Sequence, residues 1–166
     1  MSRFTAEDRA DLAALARALV DANKYLSLAT ADASGVPWVS PVYYTPLDYR
    51  QFLWVSSPEA RHSHNIAVRP TVAIAIFDST VGFGHAQAVY MDAEAGLVPD
   101  DEIEEVAGVY SSRFDDLMVF TGDMLRAPAP FRLYRALVSE HSVLIRGGDP
   151  RNSRGADERE SVDLSG

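Results

Sequence analysis

Three strand-like runs, at residues 25–31, 36–44 and 52–56, follow one another with only turn-length connections between them. Parallel strands need a crossover of a dozen or more residues, so these runs can pair only as an antiparallel meander. Asp32, Ser34 and Gly35 supply the first turn and Asp48 the second. Pro37 and Pro41 cannot donate to a ladder, which puts the second run at a sheet edge. The run at 71–77 is apolar at nearly every position and reads as a strand buried on both faces. Alternating patterns at 85–94, 131–138 and 139–145 read as further strands.

Two helices accompany them. Leu12, Leu15, Ala16, Leu19 and Val20 share one face of a helix over 5–23, with Thr5 as N-cap and Asp8 three residues on, close to a capping box. Ile103, Val106, Ala107, Tyr110 and Phe114 share a face over 99–114. Pro99 stands at its first position and acids from Asp100 to Glu105 in its opening turns. The expected organisation is one domain over 1–146, including the helix at 5–23. A polar tail follows over 147–166, with one short strand at 161–164.

A net charge of −9 excludes a broad nucleic-acid surface, because phosphate contacts need clustered Lys and Arg. No apolar run approaches the ~20 residues that cross a bilayer, so no membrane partner is expected. The opening residues carry no apolar leader, which gives a cytoplasmic expectation. With no cysteine in the chain, disulfides, thiolate metal sites and cysteine nucleophiles are excluded.

Chemistry concentrates between Trp54 and Pro70. A strand ends in Ser56 and Ser57, Pro58 suits the first position of a helix, and Arg61 and His62 follow. Helix N-termini offer unpaired N–H donors and partial positive charge, so this is a phosphate seat or an ordinary helix start capped by Ser57. His62 and His64 are two apart on a helix and point to different sides, which argues against a metal site. Tyr43 and Tyr44 should divide between core and outside. Arg132 and Arg135 fall on opposite strand faces, and His85 and His141 read as structural. No nucleophile–base order is defensible, so no catalytic residue is named.

The elements so ordered, with Ser56-Ser57, Arg61-His62, Asn65-Ile66 and Arg69-Pro70, resemble the pyridoxamine 5′-phosphate oxidase-like family, the FMN-binding split β-barrel superfamily. The resemblance is strongest over 25–94 and weaker over 131–145. It implies a mainly β fold with peripheral helices: a six- to seven-stranded antiparallel split β-barrel, assembled as a homodimer. It also implies that Ser56, Ser57, Arg61 and His62 hold the phosphate of FMN, with Asn65 a further cofactor-binding residue. Backbone at Ser40, Val42, Tyr43, Trp54 and Val55 would meet the ring.

The implied function is an FMN-dependent oxidoreductase that uses NAD(P)H and a small-molecule substrate. A deazaflavin coenzyme, or non-catalytic flavin or haem carriage, are the alternatives on this fold. Two departures stand out. His62 occupies a place where many members carry lysine, and no Trp follows Trp54 to complete the pyridoxamine-phosphate signature. A flavin enzyme other than a true pyridoxamine-phosphate oxidase is therefore expected.

Overall fold

Helix α1 (Ala6–Ala22) begins with a complete capping box. The Asp8 N–H donates to Thr5 Oγ1 at 3.0 Å and the Thr5 N–H donates to the Asp8 carboxylate at 2.8 Å. This bonding holds the Asp8 carboxyl below its usual range. The computed structural model describes residues 4–113, 115 and 118–164. After α1 come β1 (Tyr25–Ala31), β2 (Pro37–Tyr43), β3 (Thr45–Leu47), β4 (Gln51–Ser56), α2 (Arg61–Val68) and β5 (Thr71–Phe77). They are followed by β6 (Ala88–Leu97), α3 (Ile103–Ser112), a 3-10 turn at Gly122–Leu125, β7 (Arg132–Ile145) and β8 (Glu158–Val162).

The strands pair antiparallel in the order β2-β1-β5-β6-β7-β4-β3, with β8 added to β7. Only Tyr44 separates β2 from β3, the two ends of that order, so the sheet has to curl until its ends approach. The result is a mainly β split barrel with helices around it. Leu26, Leu28, Phe52, Trp54, Ile74 and Met91 fill its interior at 2% exposure or less. Each such side chain contributes about 1.5–3 kcal/mol by leaving water. Helix α1 packs on β5, β6 and β8 through its buried face of Leu12, Ala16, Leu19 and Val20.

The last turn of α1 contains no base, and Arg113 supplies one from the end of α3. Its Nη2 donates to Val20 O at 2.8 Å and Asn23 O at 2.9 Å, and its Nη1 donates to Tyr44 O. The guanidinium also lies 4.4 Å from the Tyr44 ring centroid. A second core lies under α3, where Leu53 and Leu133 meet Ile103, Val106 and Tyr110.

Several sequence expectations need correction. The strands expected at 131–138 and 139–145 are one strand of 14 residues. The register on β6 shifts between Asp92 and Ala93, leaving Ser139 as the extra residue with its Oγ on Asp92 O at 3.0 Å. Polar Ser139-Glu140 at this bulge interrupts the alternation without ending the strand. Helix α3 starts at Ile103, because Pro99 instead opens a turn closed by Glu102 N donating to Pro99 O at 3.0 Å. Phe114 lies outside the described residues. The strand expected from His85 is β6, which begins at Ala88.

The run at 71–77 is not buried on both faces. Val72, Ile74 and Ile76 are buried, whereas Thr71, Ala73 and Phe77 are exposed. Among the described residues no helix is long and apolar enough to cross a membrane.

Candidate functional site

The candidate seat forms where β4 ends and α2 begins, with a geometry that differs from the expected one. Ser57 is not the N-cap and Pro58 is not the first helical residue. Residues 57–60 form a turn, Ala60 N donating to Ser57 O at 3.1 Å and Glu59 N to Ser57 Oγ at 3.1 Å. Helix α2 starts at Arg61 behind Ala60, which has no side-chain oxygen to cap it. A methyl group at the N-cap leaves the first N–H groups without an internal partner. Ser63, also unremarked in the sequence, donates to Ser57 O at 2.7 Å and fixes this turn on the helix.

Arg61 points outward and lies over the Trp38 ring, 4.3 Å from its centroid. Glu59, the acid beside it, is turned toward His64 at 3.5 Å. His62 faces inward at 8% exposure, plugging the barrel mouth between two serines. Its Nε2 lies 2.7 Å from Ser56 Oγ and its Nδ1 3.1 Å from Ser40 Oγ. Burial holds its pKa below the usual imidazole value and so favours the neutral ring. Ser40 also accepts from Trp38 Nε1 at 2.9 Å. Trp38, like Ser63, carries no site signal of its own in the sequence. The strand period of two already put it on the same face as Ser40.

Asn65 is buried and donates to Thr30 Oγ1 at 2.9 Å, so it ties α2 to β1. The side chains of Val42 and Trp54 belong to the barrel core, Trp54 stacked on Tyr134 with centroids 5.7 Å apart. What these strands present to the site is backbone. Among the described residues β2 pairs only with β1, and β3 covers only Gln51–Leu53 of β4. Ser40–Tyr43 and Trp54–Ser56 therefore form two incompletely paired edges at the split of the barrel, where β2 and β4 come together. The Val55 N–H is directed at the Tyr110 hydroxyl, whose pKa burial pushes up to about 12. Tyr43 is half-buried against Tyr25, while Tyr44 is fully buried with its hydroxyl on Val20 O at 2.6 Å.

The remaining candidates stay apart from the seat. His85 is in the exposed loop before β6. His141 is buried and donates from Nε2 to Tyr49 O at 2.7 Å. Arg135 pairs with Glu102 at 2.6 Å, and Arg132 donates to Ala129 O and Phe131 O at 2.6 Å. Among the described residues no cluster of His, Asp and Glu could hold a metal ion.

The family model for pyridoxamine 5′-phosphate oxidase matches residues 12–140. The chain belongs to the pyridoxamine 5′-phosphate oxidase-like family. Solved members of the fold bind unlike groups. A haem-binding protein from Mycobacterium smegmatis superposes with a TM-score of 0.68 at 19% identity, over 99% of this chain and 61% of that one. This chain therefore spans less than two thirds of that relative. A haem storage protein from Vibrio cholerae gives 0.61 at 25% identity, over 82% of this chain and 95% of that one. An FAD-binding protein from Mesorhizobium loti gives 0.58 at 22% identity, over 76% and 87%. Comparison with curated proteins yields no match.

Proposed function

We propose that this chain binds FMN and works as a flavin-dependent oxidoreductase. The observation that carries this is the uncapped start of α2 beside Arg61, an anion seat with free N–H donors and an outward-facing guanidinium. Ser56 and Ser57 add hydroxyls at the end of β4. The isoalloxazine would lie along the backbone edges of β2 and β4. When bound, the flavin supplies hydride transfer at N5, while the chain binds, orients and shields it. NAD(P)H and a small-molecule substrate complete the reading. Pyridoxamine phosphate is not proposed as that substrate, since no Trp follows Trp54.

The homodimer belongs to the same proposal. The outward positions of β2, β1 and β5 include Val39, Pro41, Tyr25, Ala73, Ala75 and Phe77, and none of the outward positions carries a charge. A sheet face exposed to water along one whole side ordinarily carries polar residues. A second copy of this chain, with flavin at the junction, would cover it.

Titration of the purified protein with FMN, followed by flavin fluorescence, tests the cofactor. Saturable quenching with a shifted visible spectrum is expected, and the absence of both changes would remove the proposal. A deazaflavin coenzyme added as competitor ranks the two cofactors. Haem carriage is the second reading. The haem-binding and haem storage proteins of the same fold favour it; an open pocket of about 620 Å³ lined by Phe77, Val81, Phe83 and Arg146 also carries the acids Asp78 and Asp157. A haemin titration that develops a Soret shift while FMN leaves the spectrum unchanged would favour that carrier.

A further inference from the structure

The two serines that flank His62 are not equivalent, because one of them has a neighbour that can only donate. Trp38 Nε1 donates to Ser40 Oγ at 2.9 Å, and an indole N–H has no acceptor role. Ser40 accepts that bond and keeps its own proton to give, with His62 Nδ1 3.1 Å away. A neutral imidazole that accepts at Nδ1 carries its proton at Nε2. Nε2 lies 2.7 Å from Ser56 Oγ, which then accepts and retains its hydroxyl proton for a partner outside the chain. The opposite tautomer would make Ser40 accept twice, with its proton directed away from both neighbours. It would also turn Ser56 inward as a donor to His62. Head-to-tail order is the better arrangement, since each bond polarises the next in the same sense.

We infer that Trp38, Ser40 and His62 form a one-way hydrogen-bond chain presenting Ser56 as a hydroxyl donor to an oxyanion at the start of α2, with His62 as the positioning residue. The identity of the anion as a phosphate monoester rests on the proposed function; the direction of the chain does not. A buried neutral imidazole here contributes direction where a lysine would contribute charge. The ligand class follows from the donors. Ser56, the first N–H groups of α2 and Arg61 all give protons, so they select an oxygen-rich anion that only accepts.

Nitrogen-resolved NMR of the His62 ring in the full chain reads the tautomer directly, before any ligand is added. The proton is expected at Nε2. Trp38→Phe removes the N–H and keeps a smaller aromatic ring under Arg61. It should convert His62 to a mixture of tautomers and weaken FMN binding roughly three- to tenfold. Ser40→Ala should do the same and guards against an idiosyncratic effect at Trp38. A wild-type proton at Nδ1 overturns the inference. So does an unchanged tautomer and affinity in both variants. If FMN does not bind, inorganic phosphate serves as the probe: binding weakened by Ser40→Ala, which leaves the indole under Arg61 in place, upholds the chain while the cofactor reading falls, and no binding of either anion overturns both.

Discussion

Arg61 sits over the indole of Trp38, its guanidinium carbon 4.3 Å from the ring centroid. The contact holds a long, exposed side chain next to the uncapped start of α2, so less rotamer freedom is lost when an anion arrives. Arg61→Ala should therefore weaken FMN binding by ~1.5–3 kcal/mol, the usual worth of a charge-assisted contact. Arg61→Lys should fall between the two, because lysine keeps the charge and loses the fork. Fluorescence titration of the three proteins measures this order. Equal affinities would place the anion elsewhere.

Arg113 joins three elements that are far apart in sequence. It supplies the cation that α1 lacks in its last turn and holds the carbonyl of Tyr44, the single residue linking the two ends of the strand order. Arg113→Ala should destabilise the fold by about 2–4 kcal/mol, since several partly buried carbonyls lose a charged donor together. Urea unfolding followed by circular dichroism would show a lower midpoint with an unchanged slope. A midpoint within error of the wild type would contradict this account of the α1 terminus.

Acid should destabilise the protein in two separate windows. Burial holds His62 and His141 below the ordinary imidazole value near 6.5. Above that value both ring systems are neutral in the folded and unfolded chains and contribute no difference. As pH falls through it, the unfolded chain takes up protons that the folded chain refuses, and stability declines. A second loss belongs to carboxylates whose folded pKa is depressed, including Asp149, held at about 2 by Arg151. Their contribution is complete above the usual carboxylate range and disappears as pH drops toward the folded value. Urea midpoints at about pH 7.5 and 5.5 isolate the histidine window. His141→Gln, which keeps an N–H for Tyr49 O, should reduce the drop between them, and a midpoint that rises on acidification would refute the assignment.

Most of the framework was readable locally. Thr5 and Asp8 cap α1, and Pro37 and Pro41 do lie on the edge strand β2. The anion seat was half readable. Ser56, Arg61 and His62 are close in sequence, but Ser40, Trp38 and Thr30 reach α2 only through the curl of the sheet. Single-strand alternation records which face a residue takes and not which helix covers that face. The displaced start of α2 has a similar cause. Ser57 and Pro58 carry strong helix-start chemistry, yet the turn closed on Ser57 O uses those residues before the helix begins. At β7 the bulge at Ser139 broke the pattern that marks one long strand.

The run at 71–77, apolar at nearly every position, has the pattern of a strand covered on both sides, and the chain covers only one of them. Ala73 and Ala75 face outward, small enough to let another surface approach the sheet closely, and Ala73 is exposed. Tyr25 and Phe77 stand beside them at 60% and 50% exposure, too much apolar area to leave in water without a cause. Replacing Ala73 with Glu puts a charge at the centre of that face without touching the barrel interior. If a second copy covers it, the wild type should scatter light as a dimer and Ala73→Glu as a monomer with the same far-ultraviolet dichroism. FMN affinity should fall with it, because a flavin at the junction loses one wall. A wild-type monomer that still binds FMN tightly would separate the two ideas: the anion seat would stand within a single chain, and the bare face of β5 would need a partner other than a second copy.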